Sequence, residues 1–359
     1  MSKVTYNNSN NQFFQSLKNS VDNYFISAKR KKTGNWNLYY KTIVLLTAAV
    51  AIYLSLLFLP LTAVWGILLS SIFGIVLASI GFNVMHDACH GSYSERKWLN
   101  ETLGYSLNAL GGNAFIWKFK HNILHHTYTN VDGMDDDIAK SPLMRQCTSQ
   151  KWVPAHRFQH FYVLFFYAIS SFAWIFLMDF NKYFRQKIHN TPLQKMDRKE
   201  HFIFWISKVL YVFFYIVIPV IVVGWQAWAI GFIFLHIFMG LTLAIVFQLA
   251  HVVEHTEFEK VRAGENMPLN LSWAEHEVRS TADFAVNNKM VCWFTGGLNF
   301  QVEHHLFPKI SHIHYPAINK IVKEKCREFN LPYHSFPTAK AAIISHFRLM
   351  KALGKKPTV

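Results

Sequence analysis

Residues 61–90 read LTAVWGILLSSIFGIVLASIGFNVMHDACH, and this stretch decides the fold class. Its first 25 residues carry no charge. At about 1.5 Å per residue in a helix, such a run is long enough to cross a hydrocarbon core of about 30 Å. The chain then reaches His86 and His90 with no intervening loop. Histidines four apart on a helix share one face, so these two rings can aim at one ion. A span that runs straight into a ligand pair predicts a metal held at a fixed depth beside a membrane.

Working outward, residues 42–59 form a second apolar run, parted from the first by Pro60, and the two predict a hairpin with an uncharged turn. Residues 202–223 and 226–250 repeat the arrangement around Gly224 and Trp225. Charge then decides sidedness. Lys29, Arg30, Lys31 and Lys32 precede the first hairpin, and Arg96, Lys97, Lys118 and Lys120 follow it. Lys182, Arg185, Lys187 and Lys195 precede the second, and the tail after it is basic. Lys and Arg accumulate on the cytoplasmic side, so the hairpin turns are predicted to be translocated and both termini cytoplasmic. Two further apolar stretches are not read as spans. Residues 98–117 are softened by Gly104, Gly111 and Gly112. Residues 160–178 are very aromatic and have basic segments on both sides; spanning alone, they would put the last histidine cluster opposite the others. They are predicted to lie in the membrane plane or to re-enter.

The predicted fold is therefore all-α and integral to the membrane, with four transmembrane helices in two hairpins and a cytosolic helical cap that gathers the histidines. Residues 1–35 read as a polar, mobile tail, 36–335 as one membrane-embedded catalytic domain, and 336–359 as a basic tail. Composition agrees: 52% of the 359 residues are hydrophobic, 32 of them Phe, and the formal charge is +15. A basic chain can also be a nucleic-acid binder, but here the charge flanks apolar runs and forms no patch of its own, so no nucleic-acid partner is expected. The first 30 residues lack the apolar core of a cleaved leader. Cys89, Cys147, Cys292 and Cys326 form no C-x-x-C pair and are expected to be reduced thiols.

Seven histidines fall in three clusters: His86 and His90 in HDACH, His121, His125 and His126 in HNILHH, and His304 and His305 in QVEHH. Neutral imidazole suits borderline transition metals, and a two-metal site needs about this many nitrogen donors. His121 and His125 are again four apart, so on a helix they too can aim two rings at one ion.

These three clusters resemble the histidine boxes of the membrane fatty-acid desaturases. The string Q301-V-E-H304-H305 is similar to the third box of the front-end acyl desaturases, which begins with Gln where other branches have His. HHTYTN at 125–130 and GGLNFQVEHHLFP at 296–308 agree, and the resemblance runs from about residue 40 to about 335. It implies a four-helix stem with a cytosolic cap holding two non-heme irons, with O₂ as co-substrate. Carried over residue by residue, it implies that His86, His90, His121, His125, His126, His304 and His305 are iron ligands. One more ligand is expected after the last span, where His251 matches and His255 is the weaker candidate. Gln301 stands where the other branch has a ligating histidine, and an amide either coordinates weakly or holds a water. No His-Pro-Gly-Gly heme motif of a fused cytochrome b5 domain occurs in the chain. The resemblance thus implies a separate electron donor, such as ferredoxin or cytochrome b5, as in bacterial members, and a bacterial inner membrane with the active site facing the cytoplasm. The implied substrate is a fatty acyl chain on coenzyme A or on a lipid, from which two vicinal hydrogens are removed while O₂ is reduced to two waters.

Ligating histidines usually pass their other N–H to a carboxylate or carbonyl. Asp87, Asp132, Asp135, Asp136, Asp137, Glu254 and Glu303 are near enough in sequence to serve, as are His276 and His312 in supporting roles. His236, inside a span, reads as a neutral imidazole hydrogen-bonded between helices. Two alternatives stay open: a lipid hydroxylase or ketolase on the same diiron scaffold, and a bis-histidine heme protein, whose paired histidines would lie within the spans.

Overall fold

The computed structural model describes residues 3–7, 11–139, 142–261 and 266–357. Helix α1, Gln12–Ser27, buries Phe13, Leu17, Val21 and Phe25 against Ile318, Val322 and Cys326. The expectation of a mobile tail fails for this segment. Hydrophobes every fourth residue make one apolar stripe, and its burial outweighs the polar composition of the rest. Residues 1, 2 and 8–10 of that tail lie outside the described residues.

Among the described residues, five helices are long and apolar enough to cross a membrane: α2 (Trp36–Phe58), α3 (Ala63–His90), α4 (Pro154–Arg185), α5 (Arg198–Val223) and α6 (Trp225–His251). Asn35 accepts the Asn37 N–H at the start of α2, and Asp197 accepts the Glu200 N–H at the start of α5. Gly91 ends α3 in the left-handed region, φ +74°, immediately after the second histidine. Ile43, Val50 and Leu54 of α2 and Val209, Phe213 and Ile221 of α5 are exposed. Apolar surface of that extent marks a lipid-facing shell.

Inside the shell the helices meet closely. A Cβ on Gly74 of α3 would stand 2.2 Å from the Leu235 carbonyl oxygen of α6, and one on Gly240 of α6 would stand 2.6 Å from that of Tyr167 of α4. Small residues allow such approach where no water drives association. Polar side chains lock the same interfaces. His236 of α6 bonds Ser171 of α4 through Nδ1 at 3.0 Å and Tyr211 of α5 through Nε2 at 3.1 Å. Lys208 of α5 lies 2.9 Å from Asp179 of α4 and donates to the carbonyls of Gly111 and Ile175. Both ends of α4 are bonded to one loop: Gln159 to the backbone of Arg145, and Lys182 to Asp136 at 2.6 Å. Residues 98–117 break into the short helices Lys97–Gly104, Ser106–Ala109 and Ala114–Lys118, the second break falling where Gly111 turns at φ +95°.

Further helices are α7 (Trp273–Ser280), α8 (Gln301–Leu306), α9 (Tyr315–Glu328) and α10 (Ala339–Leu353), with a short helix Lys289–Phe294 between α7 and α8. Ser272 and Glu275 form a capping box at the start of α7. The segment read as a basic C-terminal tail is largely α10, which buries Ala342, His346 and Met350 and bonds α4 through His346 Nε2 and the Tyr167 hydroxyl at 2.8 Å. Parallel two-stranded pairings tie loops together, Val131–Asp132 with Glu259–Lys260 and Asp283–Phe284 with Ser335–Phe336. Among the described residues the four cysteines are all free.

Candidate metal centre

Four elements deliver the histidines to one place. His86 and His90 occupy the last turn of α3, after a π-helical turn at Gly81–Met85. The second cluster sits where helix Ala114–Lys118 passes into another π-helical turn, Phe119–His125. His251 is the last residue of α6, and His304 and His305 lie on α8.

The ligand nitrogens form interlocking sets, each with its members within 4.8 Å of one another: His86, His90, His121 and His304; His125, His251 and His305; and His126 with His304 and His305. His121 and His125, whose spacing on an α-helix would let them face one ion, thus fall in different sets. The π turn is the cause. Its i→i+5 bond, from the His126 N–H to the His121 carbonyl at 3.1 Å, departs from the α-helical register on which a four-residue pairing depends. His90 is partly buried and the other seven are buried, yet Nε2 of His90, His125, His304 and His305, Nδ1 of His126 and both nitrogens of His251 have no hydrogen-bond partner. Unpaired buried polar atoms are costly, and so many converging on one point fit a metal centre. Nε2 of His121 lies 3.2 Å from Nε2 of both His86 and His126. That is the ligand-to-ligand spacing expected for metal–nitrogen bonds of about 2.1 Å. Burial, reinforced by the neighbouring imidazoles, holds His121, His126, His304 and His305 well below the usual histidine range, which keeps these rings neutral and able to bind metal. Ring centroids 4.4 Å apart for His126 and His305 and 4.5 Å for His86 and His304 leave no slot for a porphyrin between them.

Outer partners fix three of the rings. His125 Nδ1 donates to Asp135 at 3.0 Å, and Asp135 also accepts the N–H groups of Asn130 and Asp137. His305 Nδ1 donates to Glu277 at 2.7 Å, on the oxygen that also accepts the Thr129 hydroxyl at 2.8 Å. His304 Nδ1 stands 3.1 Å from the Tyr315 hydroxyl. In each case the Nδ1 partner selects the tautomer whose Nε2 lone pair faces the other histidines.

The other predicted residues divide. Asp137 lies 3.7 Å from His125 and pairs with Lys120, while Asp136 pairs with Lys182. Asp132 accepts from Ser149, away from the rings. Asp87 supports the loop after the third cluster, accepting the Ser311 hydroxyl at 2.6 Å and lying 3.0 Å from His312 Nδ1. His312 Nε2 in turn accepts from Lys41 at 2.9 Å. His276 donates to the Thr129 carbonyl at 2.8 Å. Glu303 turns away from the rings and bonds Asn319 and Tyr333 beside Asp283. Glu254 and His255 are not brought to the cluster: the Glu254 N–H bonds Ser345, and the exposed His255 ring faces His334. Gln301 is buried, and its side-chain oxygen has no partner.

Glu277, Thr129 and Tyr315 are the supporting residues that sequence reasoning missed. The only available signal for Glu277 was its place directly after His276 in WAEHEVRS. Glu277→Gln keeps the shape and exchanges the carboxyl group behind His305 for an amide. Metal affinity is expected to fall about 10- to 100-fold, measured by titrating the metal-free protein with ferrous iron. Unchanged affinity would mean that Glu277 merely fills space.

A chamber of about 230 Å³ adjoins the rings. His86, His121 and Gln301 form one part of its wall, Leu77, Phe82, Leu110, Ile175, Leu243 and Phe247 form an apolar part, and Lys120, Asp137 and Lys182 form a polar end. The arrangement sets a largely apolar chamber, with a few polar side chains in its lining, against the histidine cluster.

Comparison with known proteins agrees with this geometry. The sequence profile of the fatty acid desaturase family matches residues 63–337. The chain is 36% identical over 354 residues to the sn-1 linoleoyl-lipid 6-desaturase of Synechocystis sp., covering 96% of each chain. It is 34% identical to the sn-1 linoleoyl-lipid 6-desaturase of Arthrospira platensis, over 99% of this chain and 96% of that one. It is 33% identical to the acyl-lipid (8-3)-desaturase of Physcomitrium patens, over 96% of this chain and 72% of that protein.

Proposed function

Because this chain belongs to the fatty acid desaturase family and is a front-end desaturase, we propose that it removes two vicinal hydrogens beginning at carbon 6 of an acyl chain carried on a membrane lipid, with O₂ reduced to two waters at a pair of irons. The observation that carries the diiron reading is the gathering of eight histidines, six of which hold buried nitrogens without a protein partner. His86, His90, His121 and His304 would hold one iron and His125, His251 and His305 the other, with His126 between the sets. Gln301 would stand beside them, holding a water or ligating weakly.

Two bound irons supply the oxidant for an unactivated methylene, which no side chain can provide. Every other task falls to the chain itself. Asp135, Glu277 and Tyr315 keep three imidazoles in their metal-facing tautomers. The apolar wall excludes water and presses the acyl chain along the ligand face of α3. Lys120 and Lys182, each beside an Asp at the polar end, receive the ester end of the substrate. A short distance between that polar end and the rings suits oxidation near the carboxyl end.

Four spans and a cytosolic cap remain our reading of the topology. It is supported by α4, whose two ends bond the same loop and so favour a helix lying in the plane of the membrane. Residues 36–335 form the catalytic unit in this reading, with α1 and α10 packed upon it. Both termini and the metal site face the cytoplasm of a bacterial inner membrane, and a separate carrier such as ferredoxin or cytochrome b5 delivers electrons. A lipid carrier is preferred to coenzyme A because the relatives named above act on acyl-lipids.

Expression in a host without polyunsaturated lipids, followed by double-bond mapping, tests the reading. The expected result is a new double bond at carbon 6 of lipid-bound linoleate, with two irons per purified chain. Hydroxylated lipid would move the assignment to a hydroxylase. A zinc-loaded or single-metal protein that still desaturates would sink the diiron proposal.

A further inference from the structure

We infer that the N-terminal strand, Lys3–Tyr6, is a working part of the metal centre, and that Tyr6 is a positioning residue for His126. The rings of His125, His304 and His305 each meet an outer partner at Nδ1. His126 Nδ1 has no partner, and its Nε2 stands 3.2 Å from another ligand, His121. The placement of this ring therefore depends on its own main chain. That main chain leaves the π turn Phe119–His125 and passes through the turn at 126–130. Side chains from outside the three clusters take its carbonyls. The Trp273 indole N–H donates to His126 at 2.9 Å, the Tyr6 hydroxyl donates to Thr127, and His276 Nε2 donates to Thr129 at 2.8 Å. Peptide planes are rigid, so anchoring two successive carbonyls, those of His126 and Thr127, fixes the direction in which the His126 ring leaves the chain.

Trp273 and His276 belong to α7, which also carries Glu277 behind His305. Tyr6 reaches in from 121 residues away in sequence. Its strand is firmly seated. It pairs in parallel with Asn266–Leu269, and the Asn7 N–H bonds the Leu269 carbonyl at 3.2 Å. Val4 is buried among Val131, Met134, Val261 and Leu269, and the Tyr6 ring centroid lies 5.4 Å from that of His276. Val131 and Met134 stand in the same loop as Asp135, the acid that orients His125. Strand, turn and acid thus form one packed unit that begins at two ligands, His125 and His126. Linkage then runs both ways: a docked strand that raises the affinity of the centre for metal must itself be held by bound metal, to the same factor. This inference rests on the reading of the eight histidines as an iron site.

The metal-free full-length protein is titrated with ferrous iron, and amide hydrogen exchange of residues 4–7 is followed by mass spectrometry with and without the metal. Tyr6→Phe keeps the ring against His276 and removes the hydroxyl. It is expected to bind iron about tenfold more weakly, the low end of the range for groups that support a metal ligand. Exchange in the wild-type strand is expected to slow by the same factor, about tenfold, when iron is bound, since exchange reports local opening. Tyr6→Phe is expected to lose most of that protection. Val4→Asp places a charge in a buried apolar site, undocks the whole strand, and is expected to weaken iron binding at least as much. Iron affinity within about twofold of wild type in both variants would overturn the proposal. So would wild-type protein that binds iron yet exchanges residues 4–7 equally fast with and without it. A lower unfolding temperature of metal-free Tyr6→Phe with unchanged iron affinity would also overturn it, because that marks packing alone. Wild-type protein that binds no iron would instead bring down the metal-centre reading, and this inference with it.

Discussion

Cells carrying His304→Ala are expected to make no new double bond, and the purified variant to retain at most one of the two irons proposed. His304 is the residue on which the argument for two coupled metals turns, because its ring joins both the set with His86, His90 and His121 and the set with His126 and His305. Its Nδ1 is occupied by the Tyr315 hydroxyl, and its Nε2 faces the cluster without a protein partner. The side chain is buried, so water has no easy route to the vacated position. Tyr315→Phe makes the informative comparison. It removes the hydrogen bond that orients the ring and keeps the ligand, so a loss of about 10- to 100-fold is expected. Metal analysis beside activity separates the two variants: both proteins should be recovered folded, with iron lost far more from the first. Full iron content and activity in His304→Ala would falsify the ligand assignment.

The second large effect is expected from Lys208→Ala, away from the metals. Lys208 and Asp179 are 7% and 1% exposed and pair at 2.9 Å, and Lys208 also satisfies the carbonyls of Gly111 and Ile175. Removing the cation leaves the buried Asp179 carboxylate with only the Trp174 indole N–H and takes the lysine donor from two carbonyls, at a cost of about 3 to 5 kcal/mol. The midpoint of thermal unfolding in detergent should drop clearly, and activity with it, because Ile175 and Gly112 form part of the chamber wall. The double variant Lys208→Met with Asp179→Leu removes both charges and should recover most of the stability, since buried ion pairs are often no better than the apolar groups that replace them. A single variant as stable as wild type would show the pair to be solvated; a double variant no better than the single would show that the Gly111 and Ile175 carbonyls depend on the lysine itself.

Much of this molecule is legible in its sequence because membranes and metals both leave coarse marks. The uncharged runs had to be long helices, and clustered histidines at the ends of those runs had few other uses. The eight histidines come together, His251 included although no box contains it. Finer detail depended on backbone geometry that residue spacing does not encode. Aiming His121 and His125 at one ion takes an α-helical turn, and the π turn divides them. Glu303 sits between two cluster residues in sequence yet faces Asn319 and Tyr333, because successive residues of α8 project in different directions. Glu277 went unseen for the opposite reason: its partner His305 lies 28 residues away, a contact made only by tertiary packing. The stripe Phe13, Leu17, Val21 and Phe25 was readable as one helix face, but the Asn and Ser around it suggested a tail.

The histidines that meet at the centre come from α3, the π turn at Phe119–His125, the end of α6 and α8, so the first and last are separated by more than two hundred residues of chain. A ribosome adding about 5 to 20 residues per second needs roughly 10 to 40 s to cover that interval. During that time the earliest donors wait in a half-built protein whose later hairpin has yet to enter the bilayer. Iron arriving early would find only His86, His90 and the second cluster, an incomplete set open to whichever competing ion binds nitrogen more tightly. On the diiron reading proposed above, correct metallation becomes a question of order in biosynthesis, with the apolar helices inserted first and iron delivered last.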